Sequence, residues 1–309
     1  MTDVVICEFM DQAAVDGLAA EFDVMYDPDL VDRPDALEAV VAGARALVVR
    51  NRTQVRGALL DAASSLQVVG RLGVGLDNID LAACERRGIE VCPATGANDV
   101  AVAEYVIATA MLLLRNAYLA GPDVIAGEWP RQRCMGRETG GKVLGLVGFG
   151  GIARETARRA RALGMHIIAH DPFVADEDPA WHDVERSDLD ALLSRCDVVS
   201  LHVPLTGVTR GLLDAQRIAR MKPGAVLINT ARGGTVVEDA LIDALKSGQL
   251  GGAALDVFES EPVSATSGAR FTDIANLVLT PHIAGVTQES NVRVSAVTAD
   301  NVRRALIER

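Results

Sequence analysis

Short runs of apolar residues alternate with longer amphipathic stretches along the first ninety positions. Val4 to Cys7, Asp23-Val24-Met25-Tyr26, Ala46-Leu47-Val48-Val49, Leu66-Gln67-Val68-Val69 and Ile89-Glu90-Val91 read as strands. Val15 to Phe22, Pro34 to Ala42, Val55 to Ala63 and Leu81 to Arg87 read as helices between them. Strands alternating with helices predict a parallel α/β sheet, here ending near Pro93. Asn98 to Arg115 then forms a long helix with Val102, Val106, Ile107, Ala110, Met111, Leu113 and Leu114 on more than one face. So much apolar surface must be buried on several sides. Burial between two domains and burial at a subunit interface both fit, and both can hold.

A polar, basic connection (Glu128 to Lys142) leads into a second series of strands. These are the run from Val143, Val198 to His202, Ala225 to Asn229, Gly252 to Asp256 and Leu277 to Leu279, with helices at Asp188–Ser194, Asp214–Arg220 and Glu238–Ser247. They predict a second doubly wound sheet. A last helix, Thr287 to Glu308, follows, and the first domain lacks a closing element, so this helix is expected to return there. The expected division is 1–97, 98–285 and the returning segment 286–309. The chain then crosses between domains twice and leaves a cleft.

The second domain opens with Val143-Leu144-Gly145-Leu146-Val147-Gly148-Phe149-Gly150-Gly151-Ile152-Ala153. An apolar run ends in Gly-x-Gly-x-x-Ala, a helix follows, and Ile167-Ile168-Ala169-His170-Asp171 closes a second strand on an acid. Strand, helix, second strand and acid stand in the register of a dinucleotide-binding βαβ unit. Gly148 permits the turn, Gly150 lets backbone approach a pyrophosphate, and Ala153 lets helix pack on sheet. Asp171 can accept both ribose hydroxyls and repel a 2′-phosphate, which favours NAD over NADP.

Charge narrows the partners. The chain has 309 residues and a formal net charge of −12. Such a surface disfavours nucleic acid and anionic membrane. An anionic substrate would need a local cluster of Arg or Lys. Five scattered cysteines with no C-x-x-C pair point to a reducing compartment, with no disulfide framework and no zinc or other metal site. The N-terminus lacks a signal-peptide pattern and no apolar run reaches membrane-spanning length, so cytoplasm is the expected location.

Three polar residues follow strands of the second sheet, where ligands of open α/β sheets bind. They are Arg232, Glu261 and His282. Oxidation of a 2-hydroxy acid needs a bidentate cation for the carboxylate, a proton acceptor near neutral pH, and a carboxylate that orients the imidazolium. Arg232, His282 and Glu261 fit those roles in that order. Singly, each has a plainer reading as solvated charge, turn residue or helix cap; together they follow strands of one nucleotide-binding domain.

The chain resembles the D-isomer-specific 2-hydroxyacid dehydrogenase family, in particular its phosphoglycerate dehydrogenase-type branch. The resemblance covers nearly the whole chain. Gly70-Arg71-Leu72-Gly73-Val74-Gly75-Leu76-Asp77-Asn78-Ile79-Asp80, the nucleotide loop, Leu201-His202-Val203-Pro204-Leu205-Thr206, Ile228 to Gly234, Ala254 to Pro262 and Thr280-Pro281-His282 carry it. It implies an α/β fold of two doubly wound parallel-sheet domains, a Rossmann NAD domain and a flavodoxin-like substrate domain. It also implies catalytic roles for Arg232, Glu261 and His282. Gly148, Gly150, Gly151, Ile152, Asp171, His202, Val203, Pro204, Thr230, Ala231 and Asp256 would bind NAD. The turn Leu72, Gly73, Val74, Gly75 would hold the substrate carboxylate through backbone N–H groups, and the Ala101–Arg115 helix would build a homodimer. The chain stops at Arg309, so a C-terminal serine-sensing domain is not expected.

Arg50, Arg52 and Arg71 lie at or after strand ends of the first domain. In this branch the positions matching Arg50 and Arg71 face the substrate phosphate. They can equally be surface charge, but in so acidic a chain they suggest an anionic tail. Arg131 and Arg133 are candidates to reach the same cleft from a second subunit. Two tailed acids fit, 3-phosphoglycerate and 3-sulfolactate; the runs Cys7 to Asp11 and Val48 to Val55 resemble sulfolactate dehydrogenases more. The alternatives are a generic 2-hydroxyacid dehydrogenase or ketoacid reductase, a phosphite dehydrogenase, and a non-catalytic NAD(H)-sensing corepressor-like protein. Glu261 speaks against formate dehydrogenases, which pair this His with Gln.

Overall fold

The computed structural model describes residues 2–308, which form two compact units. One unit comprises the chain up to Asn98 together with the segment from Val286 on; the other is Asp99–Gly285. In the first lie β1 (Val4–Ile6), α1 (Gln12–Ala19), β2 (Val24–Tyr26), α2 (Pro34–Val41), β3 (Ala46–Val49), α3 (Gly57–Ala62), β4 (Val68–Arg71), α4 (Leu81–Arg86) and β5 (Glu90–Pro93). The five parallel strands are ordered β2-β1-β3-β4-β5, the flavodoxin-like arrangement.

The strands are apolar without alternation because both faces are covered. Val4, Ile6, Ala46, Val48 and Val68 pack on one side with Val15, Leu18, Val302 and Leu306. Val5, Leu47, Val49 and Val69 pack on the other with Leu37, Val41, Leu59 and Leu60. The last helix of the chain, Gln288–Ile307, closes the first of these faces, opening on a reciprocal cap between Thr287 and Ser290. It runs so close to β4 that a Cβ on Gly70 would lie 2.6 Å from Val302 Cγ2 and 3.0 Å from Thr298 Cγ2.

The second unit begins with α5 (Asp99–Arg115) and α6 (Gly121–Ile125), then β6 (Val143–Val147), α7 (Gly151–Ala162), β7 (His166–His170), β8 (Glu185–Arg186), α8 (Leu189–Arg195), β9 (Val198–Leu201), α9 (Ala215–Arg220), β10 (Ala225–Asn229), α10 (Glu238–Lys246), β11 (Leu250–Leu255), α11 (Ala265–Gly268) and β12 (Leu277–Leu279). The helix that closes the first unit is then α12. Seven parallel strands run β12-β11-β10-β9-β6-β7-β8. The order reverses between β6 and β9, the switch point where such sheets bind ligands. The two doubly wound parallel sheets expected from the pattern are both present.

The apolar surface of α5 is spent inside its own unit. Val102, Val106, Ala110, Leu113 and Leu114 pack with Leu144, Leu146, Ala153, Ala157 and Ile228. Neither reading of this helix, as an element between domains or at a subunit interface, is needed to explain its composition. Val100 and Met111 remain exposed on it.

Candidate active site

The carboxyl ends of six strands stand level in the second unit. Val147 pairs with His170 and Leu201, Leu201 with Asn229, Asn229 with Leu255, and Leu255 with Leu279. The residues expected to bind NAD and to carry chemistry follow these ends, and the fold gathers them on one edge of the sheet.

Gly148, at φ +88°, makes the turn after β6; a Cβ there would meet the carbonyl oxygen of His202 at 2.6 Å. Gly150 is the N-cap of α7, and no side chain caps that helix. Among the described residues nothing stands within 4 Å of where its Cβ would be. The N–H groups of Gly151 and Ile152 meet no acceptor among the described residues and can take a phosphate, with the Asp99 carboxylate packed against Gly151. Asp171 accepts the amides of Phe149 (2.8 Å) and Phe173 (2.9 Å), one on each carboxylate oxygen, which fixes the carboxylate and leaves a lone pair on each oxygen for a ribose. Thr230 Oγ1 and His202 Nε2 are buried at the ends of β10 and β9 without a protein partner among the described residues. The cradle and these two polar atoms fit a dinucleotide. Val203 and Pro204 follow β9, and Ala231 follows β10. The Asp256 carboxylate, after β11, accepts the amides of Ile283 and Ala284, each at 2.8 Å, and so ties down the loop that carries His282.

His282 lies three residues beyond β12 and has a left-handed backbone, φ +55°. Such a conformation costs on the order of 1–3 kcal/mol for a non-glycine residue and persists only where its surroundings enforce it. Its Nδ1 lies 2.7 Å from Glu261 Oε2. An ionised carboxylate only accepts, so Nδ1 carries the proton and Nε2 is left as the basic nitrogen of the neutral ring. The other Glu261 oxygen accepts the Phe258 amide at 3.0 Å. Burial pushes the Glu261 carboxyl up, but hydrogen bonds from His282 and Phe258, and the charges of His282 and Arg232, outweigh it; the net pKa is lowered. Arg232 follows β10 on a loop braced by the buried Asn229, whose Nδ2 donates to the Arg232 carbonyl (2.9 Å) and whose Oδ1 accepts the Ala231 amide (3.1 Å).

The first unit holds the expected substrate-binding residues. Leu72 donates its N–H to Val49 and Gly73 donates to Arg71, both at 2.8 Å. Of the four turn amides, those of Val74 and Gly75 meet no acceptor among the described residues and are the pair able to take a carboxylate. Arg71 is buried, and its guanidinium donates to the Leu72 carbonyl at 2.6 Å, in the space a Cβ on Gly73 would need. Arg52 is committed to Asp32 on the surface. Arg50 donates to Asn291 Oδ1 at 2.6 Å and lies 6.0 Å from the Phe9 ring centroid. Burial pulls the Arg50 pKa down, opposed by the charge of Glu8. Glu8 is itself buried and accepts the amides of Arg50 (2.8 Å), Arg52 (3.2 Å) and Thr53 (3.1 Å), so it shapes the loop. Arg133 pairs with Asp123 of its own chain.

Sequence reasoning missed Glu8, Asn229 and Asn291. Glu8 follows the apolar β1 and Asn229 ends the otherwise apolar β10, which is the signal that could have found them. Asn291 gave no signal.

Residues 107–284, more than half of the chain, match the D-isomer specific 2-hydroxyacid dehydrogenase NAD-binding domain. The chain is 57% identical over 307 residues to (S)-sulfolactate dehydrogenase of Chromohalobacter salexigens, with 99% of each covered. It is 36% identical to D-3-phosphoglycerate dehydrogenase of Synechocystis, covering 99% of this chain and 54% of that one, so it spans about half the length of that relative. D-lactate dehydrogenase of Aquifex aeolicus, solved with NAD and lactic acid, superposes with a TM-score of 0.87 at 28% identity, over 99% of this chain and 96% of that one. The chain belongs to the D-isomer specific 2-hydroxyacid dehydrogenases. It is an NAD-dependent oxidoreductase.

Proposed function

We propose that the protein oxidises 3-sulfolactate, or reduces the matching ketoacid, with His282 as acid–base, Glu261 as its orienting anion and Arg232 as a substrate cation. The observation that carries the catalytic assignment is the 2.7 Å contact from Glu261 to His282 Nδ1, which leaves Nε2 to take the hydroxyl proton. Bound NAD would supply the hydride acceptor for the oxidation. Gly148, Gly150, Gly151, Ile152, Asp171, His202, Val203, Pro204, Thr230 and Ala231 would hold the cofactor; Asp256, expected with them, has its carboxylate engaged by the Thr280 hydroxyl and the Ile283 and Ala284 amides, and we assign it to the adjoining loop. Val74 and Gly75 offer their amides to the substrate carboxylate.

The substrate reading rests on the sulfolactate dehydrogenase of Chromohalobacter salexigens and on Arg50. Among the described residues Arg50 is paired with an amide, a carbonyl and an aromatic face rather than with a carboxylate. A cation so placed suits the tetrahedral anion of a sulfonate tail. Arg71 and Arg52 are the secondary candidates. A charge-assisted hydrogen bond is worth about 1.5–3 kcal/mol. Arg50→Ala is therefore expected to lower kcat/KM for sulfolactate roughly ten- to hundredfold and to spare lactate. Equal losses for both acids would leave a generic 2-hydroxyacid dehydrogenase; a wild type that prefers phosphoglycerate would move the reading to that acid.

We further propose a cytoplasmic homodimer built on the Ala101–Arg115 region. Among the described residues no helix is long and apolar enough to cross a membrane. Met111, Tyr118, Ile125 and Trp129 stand exposed on α5 and the segment after it, apolar area that a second copy would cover. Light scattering at micromolar concentration tests this: a monomer overturns it.

A further inference from the structure

The buried Asp256 carboxylate holds more than the two amides after His282. Oδ1 also accepts the Thr280 hydroxyl at 2.6 Å, and the Asp256 carbonyl accepts the His282 N–H at 2.9 Å. Thr280 Oγ1 lies 2.7 Å from the hydroxyl of Tyr105, which stands on α5. The direction of this chain follows from valence. A carboxylate cannot donate, so the single Thr280 proton goes to Asp256, and Tyr105 must donate to Thr280. Tyr105, Thr280 and Asp256 thus form a one-way series that ends on the groups flanking His282.

His282 keeps a left-handed backbone, a conformation that survives only where neighbours enforce it. The restraints are Asp256 with residues 280, 283 and 284 on one side and Glu261 on the other. Burial raises the Tyr105 pKa, the Thr280 contact lowers it, and the Asp256 charge raises it further; the net shift is upward, so the phenol stays protonated and able to donate.

We infer that Tyr105 and Thr280 are positioning residues for His282, acting through the Asp256 carboxylate. The inference rests on the reading of His282 as the acid–base. Removing the Tyr105 hydroxyl leaves Thr280 with one partner. Removing the Thr280 hydroxyl takes a donor from Asp256 and strands the phenol. Both loosen the loop without touching the dinucleotide cradle at Gly148–Gly151. A positioning fault lowers turnover because a small misplacement of the base weakens the transition state more than the ground state.

The test compares Tyr105→Phe, Thr280→Val, Thr280→Ser and His282→Ala, with 3-sulfolactate and lactate as probes and NAD affinity from fluorescence titration. Expected are a kcat about three- to tenfold lower for Tyr105→Phe and at least tenfold lower for Thr280→Val. NAD affinity should stay within about twofold, and Thr280→Ser should restore most of the turnover. In the His282→Ala background, Thr280→Val should cause no further loss, because its effect runs through the missing ring. A purely structural role would add its loss there and would weaken NAD binding as well. If His282→Ala is nearly inactive while Tyr105→Phe and Thr280→Val turn over like wild type, the inference is overturned and the acid–base reading stands. If His282→Ala keeps full turnover, the acid–base reading falls first. Tyr105→Phe, a substitution that removes one oxygen, keeps the test decisive if Thr280→Val fails to fold.

Discussion

A single carboxylate decides how the ring of His282 faces its surroundings, because Glu261 fixes the proton on Nδ1. His282→Ala is expected to cut turnover by roughly two to four orders of magnitude, the usual scale for a general acid–base, with NAD affinity little changed. Steady-state kinetics with a binding titration check both halves. Glu261→Gln should be milder. Its net lowered pKa keeps Glu261 anionic through the neutral range, where it only accepts and holds the Nδ1 proton in place. A glutamine oxygen can still accept from Nδ1, but its amide can also turn a donor toward the ring, so the loss should lie between wild type and His282→Ala, which the same steady-state kinetics read. Asp171→Ala should weaken NAD and relax discrimination against NADP, since two ribose hydrogen bonds and one repulsion are lost together. A variant that discriminates as sharply as wild type would remove Asp171 from the cofactor site. At this scale the sequence displays Arg232, Glu261 and His282 because they are polar residues just beyond apolar strand ends. Glu8 and Asn291 act on groups some forty and more than two hundred residues away, so their partners cannot be read locally, whereas Asn229 braces residues two and three positions on and is marked only by being polar at the end of an apolar strand.

Elements obey the apolar pattern where both faces of a strand are buried. β3 and β10 have the expected bounds, whereas β4 starts two residues later than the run Leu66 to Val69 suggests and ends on Arg71. β8, Glu185–Arg186, is absent from the sequence reading because it is an exposed edge with no apolar residue to betray it. α11 is a single capped turn, too short for any period to show. The contact of α12 with β4 gives an element-scale prediction. Gly70→Val would drive side-chain atoms into Val302 and Thr298. Overpacking of this kind costs about 1–3 kcal/mol, and more where two backbones must part. Urea denaturation should show that loss, and Gly70→Val combined with Val302→Ala should recover part of it.

At the scale of the molecule, acid stability carries the signature of a buried ring. Burial pushes His202 from 6.5 down to about 4. Between those values the unfolded chain binds a proton that the folded chain refuses, so stability is full above pH 6.5 and falls as pH drops toward 4. Once both states are protonated, below pH 4, the loss amounts to roughly 3 kcal/mol. His202→Gln should flatten the slope in denaturation series between pH 7 and pH 4.5, run without cofactor. The return of α12 to the first unit has its own consequence on the ribosome. The five strands emerge early, but the face above Val4, Ile6, Val48 and Val68 waits for Val302 and Leu306. At 5–20 residues per second, the intervening segment takes roughly ten to forty seconds to be made. Through that interval α1 alone covers this face, and the part that α12 will close stays open to water while the uninterrupted second unit is free to fold, so the first unit is the part of the nascent chain that must wait.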